Sequence, residues 1–166
     1  MSESVEKAWT LLEELTDPEI PVVTLRELGI LRDIRQNATG IEVVITPTYS
    51  GCPAMDQIED DVKSVLRSAG LDATVITQLS PAWTTDWMTD QAKDKLRAYG
   101  IAPPHTTASS GNRIHLTRKD PTSEPIECPH CGSNHTTVIS QFGSTSCKAL
   151  YKCLECREPF DYFKPY

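Results

Sequence analysis

The sequence changes from a predicted strand to a predicted helix at Thr46-Pro47-Thr48-Tyr49-Ser50-Gly51-Cys52-Pro53. The residues before this stretch, 41–45, alternate apolar side chains with the period of two expected of a β-strand. The residues after it, 54–69, repeat apolar side chains at helical spacing. Gly51 permits a sharp turn and Pro53 suits the first helical position. We therefore expect Cys52 to cap the helix.

A thiol at this position is a candidate functional group. It would face free backbone amides and the positive end of the helix dipole, which lower a thiol's pKa and favour the thiolate. A thiolate is both a nucleophile and a metal ligand. The local pattern leaves a second interpretation open, in which Cys52 is a small buried residue that fills a tight turn.

Apolar periodicity predicts the elements on both sides of this turn. In chain order they are a helix over 3–15, a strand over 30–36, a strand over 41–46, a helix over 54–69 and a strand over 73–79. The turn-rich loop 37–40 predicts a hairpin between the first two strands. A strand, a helix and a further strand in succession predict a parallel crossover connection. The expected fold is therefore α/β in the α+β sense, a small mixed β-sheet with packed helices.

The C-terminal part of this region predicts one more helix and then a break. Thr85 or Asp86 is expected to cap a helix that reaches Tyr99, with Met88, Ala92, Leu96 and Tyr99 on its inner face. Residues 101–125 are rich in proline, serine and threonine. They predict a linker whose His105 and His115 face solvent. The domain prediction is thus 1–100, a linker over 101–125, and a small module over 126–166.

Composition and charge restrict the function. The 166 residues carry a net charge of −7, and residues 1–100 hold 17 acidic against 9 basic side chains. An acidic main domain argues against nucleic acid as a partner, because phosphate contacts require clustered lysine and arginine. The sequence has no apolar run long enough to span a membrane and no apolar N-terminal secretory segment. We expect a cytoplasmic protein.

Four of the six cysteines predict a metal site. Cys128-Pro129-His130-Cys131 and Cys153-Leu154-Glu155-Cys156 are two Cys-x-x-Cys pairs separated by 21 residues. This spacing is typical of a zinc ribbon, in which Cys128, Cys131, Cys153 and Cys156 bind Zn²⁺ tetrahedrally. Four thiolates leave no open coordination position, so the zinc is expected to be structural.

Several features of the ribbon remain open. Iron is the alternative metal, because a rubredoxin-type centre uses the same paired turns, and colour would separate the two. Strands are expected over 136–142 and 149–153, with Phe160, Tyr162 and Phe163 covering the site. Cys147 is expected to be a strand cysteine, although it could be an alternative ligand or a partner for Cys52.

Four motifs together resemble a known family. They are Asp17-Pro18-Glu19-Ile20-Pro21-Val22, Leu28-Gly29-Ile30, Gly51-Cys52-Pro53, and the run from Pro81 to Met88. In order and spacing, over about residues 5–100, they resemble the iron–sulfur cluster assembly domain of the SufT and cytosolic-targeting-factor type. The resemblance implies that the family's signature acid, threonine and cysteine fall on Asp17, on Thr46 or Thr48, and on Cys52.

The added C-terminal ribbon restricts the resemblance to a smaller group of proteins. The whole chain is similar to an accessory-subunit family of the bacterial ring-1,2-phenylacetyl-CoA epoxidase system, which acts in aerobic phenylacetate degradation. This implies a maturation role in which the chain helps the system's iron–sulfur reductase or its di-iron oxygenase to acquire metal. A transient iron–sulfur cluster or iron ion at Cys52, with Asp17, Thr46 or Thr48 nearby, is what the resemblance implies for the site.

Three classes of function remain to be separated. The first is metal trafficking or cluster assembly at Cys52, with the ribbon as a docking module. The second is a thiol enzyme, which would need a nearby base, whereas all four histidines lie beyond residue 104. The third is a scaffold that bridges epoxidase subunits. A homodimer in which two Cys52 thiols meet is also open. The sequence has no Gly-rich phosphate loop, Glu-x-x-His pair or dinucleotide motif, so we expect no enzymatic activity of its own.

Overall fold

The computed structural model describes residues 2–105 and 125–165. The chain divides into two compact units, Met1–Ala92 and Lys93–Tyr166. Each unit contains one small β-sheet. The combination of small sheets and helices agrees with the predicted α+β class. Within the described residues, every helix is too short or too polar to span a lipid bilayer.

The first unit contains a three-stranded sheet with two packed helices. Its elements are α1 (Glu3–Leu12), β1 (Leu31–Asn37), β2 (Gly40–Ile45), α2 (Ala54–Ser68) and β3 (Ala73–Thr77). The strand order is β1-β2-β3, with β1 and β2 antiparallel and β2 and β3 parallel. The predicted hairpin and the predicted parallel pairing across α2 are both confirmed.

The core of this unit lies between the sheet and the helices. The side chains on one face of β2 (Ile41, Val43 and Ile45) are at most 3% exposed. The α2 stripe formed by Ile58, Val62 and Leu66 is similarly buried. Burying one such side chain stabilises the fold by about 1.5–3 kcal/mol. Alternation on the strand and helical spacing on α2 therefore meet in one apolar layer, which positions the loop between them.

Two of the quoted motifs pack against each other at the edge of this core. Gly29 has a φ of +76°, and a Cβ atom there would lie 2.7 Å from Trp87 Cβ, so no side chain fits. The buried Trp83 ring donates a hydrogen bond from Nε1 to the Leu28 carbonyl at 2.9 Å. The loop 81–88 therefore packs against the backbone of Leu28 and Gly29.

The predicted helix start at Thr85 or Asp86 is wrong. Thr85–Trp87 form a single 3₁₀ turn, and α3 covers Asp90–Tyr99. The two are separate because Met88 takes an extended backbone conformation with ψ of 131°. Thr89 Oγ1 accepts the Ala92 N–H at 3.1 Å and thus acts at the start of α3. The prediction of Tyr99 on the inner face is also wrong, since this residue is 52% exposed.

The second unit contains the C-terminal ribbon. Its strands are β4 (Ile101–Ala102), β5 (Thr136–Ser140), β6 (Lys148–Cys153) and β7 (Pro159–Phe163). The order is β4-β7-β6-β5, with β4 parallel to β7 and the other pairs antiparallel. The sequence pattern does not predict β7 as a strand, because its clustered aromatic residues indicate only a cover over the metal site.

The linker prediction meets the described residues only at its ends. Ile101 and Ala102 form β4 and pair with β7, so these two residues belong to the ribbon sheet. His105 is exposed. The remainder of the predicted linker, including His115, lies outside the described residues.

Candidate metal-binding sites

The four ribbon cysteines come together at one end of the β5–β6 hairpin. Their sulfur atoms all lie within 4.8 Å of one another. The Cys128 and Cys156 sulfurs are 3.8 Å apart, and those of Cys131 and Cys153 are 3.6 Å apart. Each cysteine pair sits in a tight turn. In the first, the Gly132 N–H donates to the Cys128 carbonyl at 2.9 Å.

This geometry fits a four-coordinate metal ion. With Zn–S bonds of about 2.3 Å, the sulfurs of a tetrahedral site are separated by about 3.8 Å. Backbone N–H groups point at the sulfurs, as expected of such turns: Ser133 donates to Cys131, and Glu155 and Cys156 both donate to Cys153. Cys128 and Cys153 are buried while Cys131 is exposed. All four donors are sulfur, and together they would complete a tetrahedral coordination shell, so the site has the donor set of a structural metal centre.

Cys147 lies outside this group. It is buried, and its sulfur lies 3.0 Å from Thr145 Oγ1. Its backbone carbonyl accepts the Lys164 N–H at 2.9 Å, which joins it to the segment after β7. The four-sulfur group is complete without it.

Cys52 occupies the turn before α2, as predicted, and the N-cap position falls one residue later than expected, on Pro53. Gly51 has the left-handed φ of +83° that the sharp turn requires. The helix begins at Ala54, and the residue before it is Pro53, which already has helical angles (φ −69°, ψ −18°). The Cys52 carbonyl accepts the Met55 N–H at 3.3 Å, and the Cys52 residue is half-buried.

The prediction of a lowered thiol pKa is wrong. Burial raises the pKa of Cys52, and the negative charges of Glu19 and Asp17 raise it further. Hydrogen bonds from the Ala54 N–H and from the Tyr49 side chain oppose these effects without overcoming them. The helix terminus by itself would lower the pKa, but burial of the thiol, together with the charges of Glu19 and Asp17 from an earlier loop, outweighs it.

Asp17 is held by its own loop. Its side chain is 7% exposed, and Oδ1 accepts the N–H groups of Glu19 and Ile20 at 2.8 and 3.0 Å. The charge of Asp17 also contributes to the raised pKa of Cys52. Glu19, which also acts on the thiol, is not among the predicted site residues. The signal that could have found it is its place in the same proline-flanked motif as Asp17.

The two candidate threonines differ in burial. Thr46 is 1% exposed, and no hydrogen-bond partner reaches its Oγ1 in the part of the chain that the structure describes. Its N–H donates to the Ile30 carbonyl at 2.8 Å, which continues the pairing of β2 past its last residue. Thr48 is half-buried. A buried hydroxyl without a hydrogen-bond partner destabilises a fold by about 1–3 kcal/mol, so the threonine at position 46 lowers the stability of the protein.

The neighbourhood of Cys52 is not a preformed metal site. Over residues 2–105 and 125–165, the ribbon cysteines are the only group of three or more metal-ligating side chains whose donor atoms meet within 4.8 Å. Cys52 offers one sulfur near two carboxylates, and any metal there would need further ligands.

Comparisons with known proteins match the chain in two parts. Residues 6–77 match the family model described as iron–sulfur cluster assembly protein. Residues 113–164 match the model described as PaaD zinc beta ribbon domain. The candidate residues Asp17, Thr46 and Cys52 all fall in the first match, and the four-sulfur group falls in the second.

The relatives cover both the whole chain and its first part. The protein of Escherichia coli (strain K12) named as the putative D subunit of 1,2-phenylacetyl-CoA epoxidase is 48% identical over 161 residues, which are 96% of this chain and 92% of that protein. The "Fe-S protein maturation auxiliary factor" of Porphyromonas gingivalis is 34% identical over 85 residues, which are 49% of this chain and 80% of that protein.

A solved structure shares the fold of the first part. The crystal structure of a domain of unknown function, DUF59, from Bacillus anthracis superimposes with a TM-score of 0.51 and 30% sequence identity. It covers 56% of this chain and 91% of the Bacillus anthracis chain.

Proposed function

Since this chain belongs to the family of 1,2-phenylacetyl-CoA epoxidase D subunits and carries an iron–sulfur assembly domain, we propose that it is a maturation factor of that epoxidase system. Its task would be to help the iron–sulfur reductase or the di-iron oxygenase of the system to acquire metal. On this proposal the chain is an accessory protein with no catalytic reaction of its own, and it works in the cytoplasm on phenylacetate degradation.

The ribbon would supply structure in this role. We assign Zn²⁺ to Cys128, Cys131, Cys153 and Cys156, since the sulfur separations suit the zinc–sulfur bond length and the match is to a zinc ribbon. The ion would add rigidity to a unit whose own apolar core is small. It would stay with the chain while iron passes through another site.

Cys52 would be the transient ligand. The observation that carries the proposal is a half-buried thiol on which two carboxylates, Asp17 and Glu19, both act. Negative charge around a thiol opposes its ionisation, and a metal cation is the species that relieves this opposition. A soft sulfur with carboxylates beside it can accept an iron ion or one corner of a cluster.

The raised pKa of Cys52 suits transfer better than storage. A metal ion must displace the thiol proton before it binds, so a raised pKa weakens metal binding at neutral pH. Because the neighbourhood of Cys52 lacks a full set of ligands, the remaining ligands would come from the client protein or from a second copy of the chain. Both properties favour release of the metal to a client.

The proposal is tested by comparing Cys52→Ser with Cys147→Ser in anaerobic maturation of the epoxidase subunits. Both variants lose a cysteine outside the four-sulfur group, and both should keep one zinc per chain and the wild-type melting temperature. Cys52→Ser should lower the iron content of the reductase or oxygenase severalfold, while Cys147→Ser should leave it unchanged. Full iron loading with Cys52→Ser would remove Cys52 from the mechanism. A stable, stoichiometric complex unaffected by Cys52→Ala would then favour the scaffold.

A further inference from the structure

The hairpin tip of the ribbon, defined here as residues 139–142 together with Lys164, exposes two large apolar side chains. Phe142 is 65% exposed and Ile139 is 53% exposed. Phe142 is the most exposed of the large apolar residues in the described part of the chain. An exposed aromatic and an exposed aliphatic residue within one short segment have the composition expected at the centre of a protein interface.

Local contacts restrain the conformation of the tip. The Phe142 N–H donates to Ser140 Oγ at 3.2 Å. Lys164 Nζ donates to the Gln141 carbonyl at 3.1 Å and lies 4.6 Å from the centroid of the Phe142 ring. An anchor that is already fixed loses little conformational entropy when it binds, so this arrangement favours affinity.

The edge of the sheet is unsuited to addition of another strand. β5 is an edge strand, and its pairing with β6 shifts register between Val138 and Ser140, which leaves Ile139 without an opposite residue. Such an irregularity re-aims a side chain and interrupts the ladder that an added strand would extend. A partner would therefore contact the tip through the side chains of Ile139 and Phe142.

The charge at the tip indicates what the partner offers. The nearby Asp161 carboxylate is already engaged, at 3.7 Å from Lys148 Nζ and 3.4 Å from Ser144 Oγ. Lys164 forms no ion pair with a carboxylate of the described residues. The tip thus presents one uncompensated cation beside an apolar pair, and its complement is an apolar pocket flanked by a carboxylate.

The tip is also separate from the metal. Thr136 pairs with Cys153 at the metal end of the hairpin, and Ser140 lies four residues further along β5. At about 3.3 Å per residue this is roughly 13 Å, so a change at the tip need not disturb the four sulfurs. The ion can hold one end of the ribbon while the other end contacts a partner.

We propose that the hairpin tip is a docking site whose occupant is a protein surface with an apolar pocket edged by a carboxylate. Resting on the proposed function, that surface belongs to one of the other subunits of the epoxidase. Docking through the ribbon would hold the chain near its client while the assembly domain acts.

The test measures binding of the full-length, zinc-loaded chain to the purified reductase and oxygenase subunits. Phe142→Ala should weaken binding to one of them about tenfold or more. Tyr99→Ala, which removes an aromatic ring of similar exposure from α3, should leave binding unchanged. Lys164→Met should weaken binding less and reduce its dependence on salt. Zinc content confirms that each variant keeps its ribbon.

Three results would overturn the proposal. Wild-type chain that binds neither subunit excludes the proposed partner. Phe142→Ala that binds as tightly as Tyr99→Ala excludes the tip. A Phe142→Ala effect confined to self-association of the chain would make a second copy the occupant. If the tip fails while Cys52→Ser still lowers the iron content of a client, the maturation function survives without it.

Discussion

The two units of this chain place cysteine in opposite settings. In the ribbon, four sulfurs lie within 4.8 Å of one another and leave no ligand position unfilled. In the assembly domain, Cys52 stands with one sulfur beside two carboxylates, and burial together with their charge raises the pKa of its thiol. The ribbon has what a permanent metal site needs, and the assembly domain has only part of it.

The difference matches the structural role for zinc and the transfer role for iron that we propose for the two units. A site that satisfies all four coordination positions holds its ion and gains folding energy from it. A site with a single thiol of raised pKa binds metal weakly, because the metal must first displace the thiol proton. Such a site releases its metal easily. Substitutions on each side of this comparison should therefore have effects of very different size.

The largest effect is expected from Cys153→Ser, which removes a fully buried sulfur from the ribbon. Structural zinc contributes on the order of 10 kcal/mol to folding, so the variant should lose its metal and the ordered ribbon. Metal analysis and NMR spectra of the ribbon signals provide the measurement. Cys147→Ser is the control and should keep both. A ribbon that stays folded and metal-bound in Cys153→Ser would contradict the structural assignment.

A smaller effect of opposite sign is expected from Thr46→Val. The change removes a buried hydroxyl that has no partner among the described residues, so the free energy of unfolding should rise by about 1 kcal/mol. If the hydroxyl is retained for metal transfer, iron delivery should fall in the same variant. Chemical denaturation and client iron content measure the two effects. Thr48→Val, at a half-buried position, is the control for stability and should leave the free energy of unfolding unchanged. A loss of stability in Thr46→Val would mean that the hydroxyl is satisfied in the native fold.

The smallest effect is expected in the pH dependence of Cys52 alkylation. Because the pKa of Cys52 is raised, the midpoint pH, at which its alkylation rate is half-maximal, should be higher than that of an unperturbed thiol. Glu19→Gln removes a negative charge and should move that midpoint to lower pH, with an effect that shrinks as salt is added. Peptide-level mass spectrometry of the zinc-loaded chain distinguishes Cys52 from the other five cysteines. A midpoint below that of a free thiol would restore the activated thiolate that the helix terminus predicts.

Local patterns predicted the elements well where periodicity was strong. β2, α2 and β3 lie within two residues of the predicted bounds because alternation and helical spacing are both read from neighbouring residues. Predictions failed where a boundary depended on distant contacts. The start of α3 moved to Asp90 because Trp83 and Trp87 pack on Leu28-Gly29, more than fifty residues away in sequence.

The two candidate metal sites show the same contrast between features that depend on neighbouring residues and features that depend on distant contacts. The spacing of the four ribbon cysteines was enough to predict a group that the structure brings together. The position of Cys52 in a turn after β2 was also predictable, but its pKa was not. Burial raises that pKa most, and the charges of Glu19 and Asp17 raise it further, although nothing near Cys52 in the sequence indicates either effect.

The sequence alone determined the helices and strands from α1 to β3, and that two cysteine pairs form one four-sulfur group, because these depend on periodicity and on short spacings along the chain. Only the tertiary structure decided the raised pKa of Cys52, the unsatisfied hydroxyl of Thr46 and the exposed tip at Phe142. Burial and electrostatic interaction act through space, so their effect on a side chain depends on every segment that folds against it.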